Sequence, residues 1–477
     1  MLKPKSGRPH IILITTDQQR GDCLGINGNN DLETPNLDHL ASRGVNFNKA
    51  YITCPVCIPA RRTLLSGLSP DTHGLRHYQD GVDFDPPATL PGCLRDAGYQ
   101  TELIGKFHMH PQGKRFGFDN ITLSETSNWR PKSPYQKRND YVRWLQHKGV
   151  TQHPHYQGIN GNGRLVAPWG MEDSLNWNNW VIEETTELLT QRRDPTCPLF
   201  LHLSFFHPHP PFIPLQHYFD RYLRKDLPDA TIGEWAPLAP AQGLSADAVA
   251  GPFDVEVMRR AKAAYYALIN HIDDCIAHIL EQWMGIPELA QDPAYILFSS
   301  DHGEMLGDHH LFRKSLGYEA SARVPFFISG INTEINSGRT NELVCWEDVA
   351  PTLLDLAGLE IPECMDGKSL ANHVRGETSI KTRDHIFGQC FSAHSNLWIV
   401  TDRWKYIWFP KTNEEQLFNL QIDPNETKDL SATAHEISEM RILMAENLST
   451  REDVSYVVES LTPCGNKPPK VFWGDRK

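Results

Sequence analysis

Four short runs of apolar residues have the length and continuity of buried β-strands. They lie at residues 10–16, 101–104, 199–206 and 295–300. These mainly apolar runs predict buried strands of a parallel sheet, covered on both faces. Residues 88–97 and 258–283 carry apolar side chains at three- and four-residue spacing, which predicts amphipathic helices. The pattern predicts an α/β fold with a large mixed, mostly parallel sheet flanked by helices.

The longer predicted helix contains the adjacent carboxylates Asp273 and Asp274. Such a pair could suggest a metal site. On a long amphipathic helix, however, charged residues usually mark the solvated face. We therefore predict that both side chains point to solvent.

The stretch from about 125 to 180 has a different composition. It is polar, rich in Asn, Gly and Pro, and contains Trp129, Trp144, Trp169, Trp177 and Trp180. It predicts a loop-rich insertion between elements of the sheet, and long ordered loops are often functional. The indole rings could line a substrate cleft or pack the loops against the domain, and we favour packing.

The C-terminal part of the chain indicates a second, smaller unit. Leu397–Thr401 and Trp404–Phe409 predict neighbouring strands of an antiparallel sheet. We therefore divide the chain into a large α/β domain at 1–375 and a C-terminal α+β subdomain at 376–477.

Polar side chains follow each of the four predicted strands. The segments are Asp17-Gln18, Gly105-Lys106-Phe107-His108, His207-Pro208-His209 and Asp301-His302-Gly303-Glu304. In open α/β sheets, ligands bind outside the carboxyl ends of the strands. Four such ends therefore predict one site assembled from distant parts of the sequence.

Bulk composition narrows the possible partners. The formal net charge is −13, which disfavours nucleic acid and anionic membrane surfaces. No apolar run approaches the ~20 residues that a membrane span needs. An anionic substrate would require a site with its own cluster of cations.

The cellular location depends on the N-terminus. The segment Met1–Lys5 leads directly into the first strand, which leaves no room for a signal peptide. We expect a cytoplasmic protein if this N-terminus is native, and a periplasmic or secreted one if a leader was removed. Ten scattered cysteines are most simply reduced thiols.

One cysteine motif admits two interpretations. Cys54 and Cys57 form a C-x-x-C, the spacing of redox pairs and half zinc sites. A zinc site would need a second ligand pair, and the chain has no other C-x-x-C. A thioredoxin-like motif should lie in a small βαβ unit, which this long chain does not suggest.

The second interpretation starts from the run Cys57-Ile58-Pro59-Ala60-Arg61, followed by Leu64-Leu65-Ser66-Gly67. C-x-P-x-R before such a stretch resembles the signature of the type I sulfatases, in the alkaline-phosphatase superfamily. The segment 415–430 also resembles the C-terminal signature of that family. The resemblance implies an alkaline-phosphatase-like fold. It also implies that a formylglycine-generating enzyme oxidises Cys57 to formylglycine, whose hydrated aldehyde attacks sulfur.

The resemblance also implies a metal site. Its ligands would be Asp17, Gln18, Asp301 and His302, together with residue 57. The family's first strand usually ends in Asp-Asp, so Gln18 is a departure that removes one negative charge. Asp-Gln with Asp-His resembles the choline-sulfatase and phosphonate-monoester-hydrolase branches. Calcium is the family default, and the imidazole keeps manganese, like magnesium, an alternative.

The catalytic residues that the resemblance implies are Arg61, Lys106, His108, His209 and Lys314. Arg61 would stabilise the formylglycine diol, and Lys106 would bind a sulfate oxygen together with Lys314. His108 would contact the diol, and His209, rather than the neighbouring His207, would protonate the leaving alcohol.

Three functions remain open at this point. The first is a metal-dependent sulfatase acting on a carbohydrate or small-molecule sulfate ester. The second is a phosphonate monoester or phosphodiester hydrolase with the same nucleophile. The third is a protein that binds sulfated glycans without turnover and keeps Cys57 as a thiol. The oligomeric state is not predicted.

Overall fold

A computed structural model describes residues 7–125, 139–150, 152, 158–237, 245–377, 382–392, 395–449, 456–457 and 462–463. The α-helices are Pro35–Ser42 (α1), Cys57–Ser66 (α2), Leu90–Asp96 (α3), Asp140–His147 (α4), Trp177–Glu187 (α5), Gln216–Leu223 (α6), Val255–Met284 (α7), Pro287–Gln291 (α8), Glu319–Ala322 (α9), Val349–Leu356 (α10), Ala371–Arg375 (α11) and Ile437–Leu448 (α12). The strands are His10–Asp17 (β1), Val45–Tyr51 (β2), Gln100–Gly105 (β3), Asn120–Leu123 (β4), Leu199–Pro208 (β5), Ala294–Ser300 (β6), Phe326–Ile331 (β7), Gly338–Cys345 (β8), His385–Cys390 (β9), Asn396–Thr401 (β10), Trp404–Phe409 (β11), Glu414–Asn419 (β12), Tyr456–Val457 (β13) and Thr462–Pro463 (β14). None of these helices is long and apolar enough to cross a membrane.

The main sheet has the strand order β4-β3-β5-β1-β6-β7-β2-β8. Strand β7 runs antiparallel to both of its neighbours, and the other paired strands are parallel. The four strands that the sequence predicts are β1, β3, β5 and β6, and they are adjacent in the middle of the sheet. The predicted mixed, mostly parallel sheet is confirmed.

Helices cover both faces of this sheet. On β1, Ile11 and Leu13 belong to a core that includes residues of α2, α3 and α10. The alternate residues Ile12 and Ile14 belong to a second core with residues of α5 and α7. Because both faces are buried, the central strands are mainly apolar on both sides, and their few polar residues, such as His202 and Ser204 of β5, are buried as well.

The predicted insertion at 125–180 contains more regular structure than its composition suggests. Helix α4 and the start of α5 lie within it. Trp169, Trp177 and Trp180 are buried in the core, and Trp144 packs against it. Packing is therefore confirmed for these four rings, while Trp129 lies outside the described residues.

The prediction of a solvated Asp273 is wrong. Its side chain is fully buried on α7 and accepts hydrogen bonds from the backbone N–H groups of Asn36 and Leu37, at 3.2 and 2.7 Å. These donors lie in the first turn of α1, where backbone N–H groups have no partner within the helix. The carboxylate therefore caps a helix that is distant in sequence.

A second sheet has the order β12-β11-β10-β9 and is antiparallel throughout. On β10, Ile399 packs against Met444 of α12 in one core. The alternate residue Trp398 joins Tyr51 and Tyr318 of the main domain in another core. The small sheet therefore packs between α12 and the main domain. The division of the chain at residue 375 stays a prediction.

Lys405 places a buried positive charge in the contact between the small sheet and the main domain. It lies on β11, is fully buried, and forms ion pairs with Glu319 of α9 and with Glu426. Burial raises the pKa of Glu426 to about 7, with Glu319 adding to the rise and Lys405 opposing it. The lysine thus neutralises two carboxylates in the core of the contact.

We expect Lys405→Met to lower the free energy of unfolding by roughly 3–5 kcal/mol, because it leaves the buried Glu426 without its cation and Glu319 with Arg323 alone. The loss should be smaller near pH 5, because a carboxyl whose folded pKa is raised favours folding at low pH and loses that contribution as the pH rises toward 7. Denaturant unfolding at both pH values measures this effect. Lys428→Met, at an exposed position, is the control, and equal stability of both variants would contradict the account.

Candidate active site

The ends of β1, β3, β5 and β6 bring the polar segments of the sequence to one edge of the sheet. Gly105 makes the turn after β3 possible, because its φ is +116° and a Cβ atom there would lie 1.9 Å from the carbonyl oxygen of Ser204. A glycine is required at such a close approach of two backbones. The turn places Lys106 and His108 beside the end of β1.

Cys57 is the first residue of α2 and is only 2% exposed. Its Sγ lies 3.2 Å from Nε2 of His302, 3.3 Å from Nζ of Lys314 and 3.8 Å from Oδ1 of Asp17. A helix N-terminus stabilises negative charge through its free N–H groups and its dipole. The end of β1, the segment after β6 and the loop that carries Lys314 therefore meet at the side chain of residue 57.

The pKa values of the two motif cysteines move in opposite directions. Burial raises the pKa of the Cys57 thiol, but the charges of Lys106 and Lys314 outweigh this and hold it well below its ordinary value. Burial raises the pKa of Cys54, which packs against Cys390. The two sulfurs thus have different partners, which disfavours the redox-pair and zinc interpretations.

Arg61 holds the acidic side of the site together. Its Nε donates to Oδ2 of Asp301 at 2.9 Å, and one Nη lies 3.7 Å from Oδ2 of Asp17. Its other Nη donates to the carbonyl of Lys106 at 2.8 Å and to Oγ of Ser204 at 3.0 Å. Both carboxylates and the Lys106 turn are thereby fixed by one buried guanidinium.

A set of possible metal ligands lies next to Cys57. One ligand atom each from Asp17, Cys57, Asp301 and His302 falls within 4.8 Å of the others, all buried. Nδ1 of His302 contacts the carbonyl of Gly303 at 2.9 Å. Donation of that N–H leaves Nε2 free to bind, the usual orientation of a metal-binding imidazole.

The electrostatics of this set favour a cation. Burial raises the pKa of Asp301, and the nearby Asp17 raises it further. Burial lowers the pKa of His302, but Asp301 outweighs this and raises it above its ordinary value. A cation bound between the two carboxylates would lower the raised pKa values of both Asp301 and His302. The donors present, carboxylate oxygens with an imidazole, fit a divalent ion.

Lys106 and Lys314 add to the local positive charge that an anionic substrate would require in this acidic protein. Lys106 is 2% exposed and forms an ion pair with Asp17, and Lys314 is 8% exposed and donates to Oε1 of Gln18 at 2.6 Å. Burial lowers the pKa of Lys106, but Asp17 outweighs it and the net shift is upward, so this ammonium stays charged. The required cluster of cations is present.

Two histidines complete the site. His209 is 8% exposed, and its Nδ1 lies 2.6 Å from the carbonyl oxygen of Pro210. Burial and the charge of Lys314 lower the pKa of His209 to about 4. The side chain of His108 also helps to lower the pKa of the Cys57 thiol. His207, by contrast, is fully buried against Asn178 in the core, with its Nδ1 3.1 Å from that amide oxygen.

Two carboxylates near these groups were given no role by sequence reasoning. Glu125 accepts the backbone N–H groups of Phe107 and His108, at 3.0 and 2.7 Å, where His108 has a φ of +57°. Glu304 contacts Gln18. Glu304 could have been found from its place in the run that begins at Asp301, whereas Glu125 lies in a stretch without any motif.

Comparisons with known proteins identify the family of the chain. The chain matches the family model described as Sulfatase over residues 9–359, and the model for the C-terminal part of N-sulphoglucosamine sulphohydrolase over residues 307–453. An arylsulfatase from Clostridium perfringens is 38% identical over 464 residues, which cover 94% of this chain and 95% of that protein. A choline-sulfatase from Rhizobium meliloti is 29% identical over 448 residues, covering 89% of this chain and 83% of that protein.

A solved structure shows the same fold. The phosphonate monoester hydrolase of Agrobacterium radiobacter superposes with a TM-score of 0.76, over 97% of this chain and 100% of that one. At 22% identity this likeness shows the fold and not the substrate. The family match over residues 9–359 and the 38% identity to an arylsulfatase carry the functional conclusion. The chain belongs to the sulfatase family and is a sulfuric ester hydrolase.

Proposed function

We propose that this enzyme hydrolyses a carbohydrate or small-molecule sulfate ester with a formylglycine made from Cys57 by a formylglycine-generating enzyme. The observation that carries the proposal is the position of the Cys57 sulfur, 3.3 Å from Lys314 and 3.2 Å from His302 at a helix N-terminus. That sulfur stands where the oxygens of the hydrated aldehyde would lie. Its surroundings stabilise an anion at residue 57, which a nucleophilic oxygen requires.

We further propose that Asp17, Gln18, Asp301, His302 and the modified residue 57 hold a divalent metal. Bound there, the ion would act as a Lewis acid toward the nucleophile and the sulfate oxygens. Carboxylate and amide oxygens favour Ca²⁺. The imidazole keeps Mn²⁺ and Mg²⁺ as alternatives.

The basic side chains have separate tasks in this proposal. Lys106 and Lys314 bind oxygens of the transferring sulfuryl group and stabilise the charge that develops there. Arg61 orients the two carboxylates beside residue 57. His108 accepts a proton at residue 57 when sulfate is released. Nδ1 of His209 faces the Pro210 carbonyl, so Nε2 is the atom that exchanges a proton with the leaving alcohol. Because the pKa of His209 is held at about 4 in the free site, the imidazole must take up that proton when the anionic substrate binds beside it.

An aromatic ring at the site suggests the shape of the leaving group. Tyr78 is 52% exposed, and its ring centroid lies 6.1 Å from that of His108. Exposed aromatic faces bind flat apolar surfaces, such as aryl groups and the apolar faces of sugar rings. We therefore propose ring-bearing sulfate esters as the first substrates to test.

The test of the function compares sulfate and phosphonate esters that carry the same aryl leaving group. Protein with matured Cys57 should release sulfate from 4-nitrophenyl sulfate with the higher kcat/KM. Faster release from 4-nitrophenyl phenylphosphonate would support the second function that the sequence left open. Failure of matured protein to turn over either ester would contradict the proposal.

His209→Ala should lower kcat by at least ~10²-fold for an alkyl or sugar sulfate, because an alkoxide needs a proton to leave. With 4-nitrophenyl sulfate the loss should be much smaller, since nitrophenolate leaves without one. Comparing kcat for both esters measures this effect. His217→Ala, at a 59% exposed histidine, is the control. An equal loss for both esters would show that His209 does not act as the acid.

A further inference from the structure

Glu304 is fully buried, and its carboxylate joins two parts of the site that lie far apart in the sequence. One oxygen, Oε2, accepts a hydrogen bond from the amide Nε2 of Gln18. The other, Oε1, accepts the backbone N–H groups of Leu306 at 2.9 Å and of Arg313 at 2.5 Å. Arg313 directly precedes Lys314. One side chain therefore touches a proposed metal ligand and the loop that carries a substrate-binding lysine.

That loop has a strained backbone. Non-glycine residues with left-handed φ angles occur repeatedly along it: Leu306 at +47°, His309 at +55°, His310 at +60°, Arg313 at +75° and Ser315 at +79°. Such conformations cost free energy and persist only where the surroundings impose them. Because Glu304 binds backbone N–H groups near both ends of the strained stretch, it holds the loop in the form that brings Lys314 to residue 57.

The orientation of the Gln18 amide is fixed from both sides. Lys314 Nζ can only donate, so the atom it meets at 2.6 Å must be the amide oxygen Oε1. The amide nitrogen then faces Glu304, whose carboxylate accepts its hydrogen. If the amide turned over, it would present its nitrogen to Lys314 and could no longer offer an oxygen to a metal ion.

We infer that Glu304 is a positioning residue that sets the amide orientation of Gln18 and the place of Lys314 together. The inference rests on the proposed function, because it takes Gln18 as a metal ligand. Glu304 touches neither substrate nor metal and acts through these two residues. A neighbour of this kind typically changes metal affinity or activity by about 10–100-fold when it is replaced.

The test is a set of three variants. Glu304→Gln keeps the shape of the side chain, and its amide oxygen can still accept the two backbone N–H groups. Its amide nitrogen, however, then faces the amide nitrogen of Gln18, so that two donors oppose each other. Gln18→Glu places two carboxylates against each other. The double variant Gln18→Glu/Glu304→Gln reverses the polarity of the hydrogen bond and restores a donor opposite an acceptor. A double-mutant cycle isolates the coupling between the two side chains.

Two quantities are measured for each variant. One is the affinity of chelator-stripped protein for Ca²⁺ and, separately, for Mn²⁺, and the other is kcat/KM for 4-nitrophenyl sulfate. We expect Glu304→Gln to lose about 10–100-fold in both, and the double variant to recover at least ~10-fold of that loss. For Gln18→Glu the loss is expected in kcat/KM, because its added ligand charge favours the cation. A purely structural role would lower thermal stability without this recovery. Glu347→Gln is the control, because it removes another buried carboxylate, which contacts Thr53 instead.

Unchanged metal affinity and kcat/KM in Glu304→Gln would overturn the inference. A double variant no better than Glu304→Gln would overturn it as well. Failure of the proposed function has a different signature. In that case the wild-type protein, with residue 57 matured, would bind no divalent ion and would release no sulfate.

Discussion

Cys57→Ala is expected to abolish sulfate release, with a loss in kcat of at least ~10⁴-fold, of the order seen when a covalent nucleophile is removed from other enzymes. The substitution removes the atom on which Lys314 and His302 converge and leaves α2 otherwise unchanged. Alanine is a good helix former, so the fold should survive. The rate of sulfate release and a thermal unfolding curve together separate lost chemistry from lost structure.

Cys54→Ser is the matched control for this prediction. Cys54 is buried three residues earlier in the same motif but packs against Cys390 and not against the site. We expect sulfate release close to that of the wild type. If instead Cys54→Ser abolished turnover while Cys57→Ala retained it, the assignment of the nucleophile would be wrong.

Lys106→Met should lower kcat/KM by about 10²–10³-fold, the usual effect of removing a buried group that stabilises transition-state charge. Methionine keeps the apolar stem of the side chain but removes the ammonium that pairs with Asp17. The effect should appear mainly in kcat, because the charge on the sulfuryl oxygens grows toward the transition state. Steady-state kinetics with one aryl sulfate give both constants.

Lys148→Met controls for the loss of a lysine, since Lys148 is 49% exposed and pairs with Glu183 at the surface. A Lys106→Met enzyme with a raised KM and an unchanged kcat would show that Lys106 binds the ground state and the transition state equally. A Lys106→Met enzyme as active as the wild type would remove Lys106 from the mechanism.

The sequence predicted the centre of the fold well because the central strands are buried on both faces. Their mainly apolar runs, each followed by polar residues, mark β1, β3, β5 and β6. Strands β2 and β8 contain partly exposed polar residues, such as Asn48 and Lys49 of β2, and give no comparable signal. The antiparallel direction of β7 depends on long-range pairing that no local pattern records.

In the candidate site, too, some residues have a local sequence signal and others depend on contacts made only in the folded chain. Asp301 follows a predicted strand, so its place at the site could be predicted from strand topology, whereas Cys57, at the start of α2, was assigned to the site by the resemblance of its motif. The contributions of Glu125 and Glu304 depend on which backbone N–H groups they meet after folding. Asp273 was misjudged for this reason, because its partners lie on α1, far away in the sequence. Composition likewise indicated loops at 125–180, but Trp177 and Trp180 lie on a buried helix.

The most direct test of the account is the mass of the tryptic peptide 50–61, with fragmentation to separate Cys54 from Cys57. Protein made together with a formylglycine-generating enzyme should carry the aldehyde or its hydrate at residue 57 and a thiol at Cys54. Sulfate release should rise in proportion to the modified fraction. If residue 57 remained a thiol in protein that hydrolyses sulfate esters at full rate, the formylglycine mechanism would be contradicted.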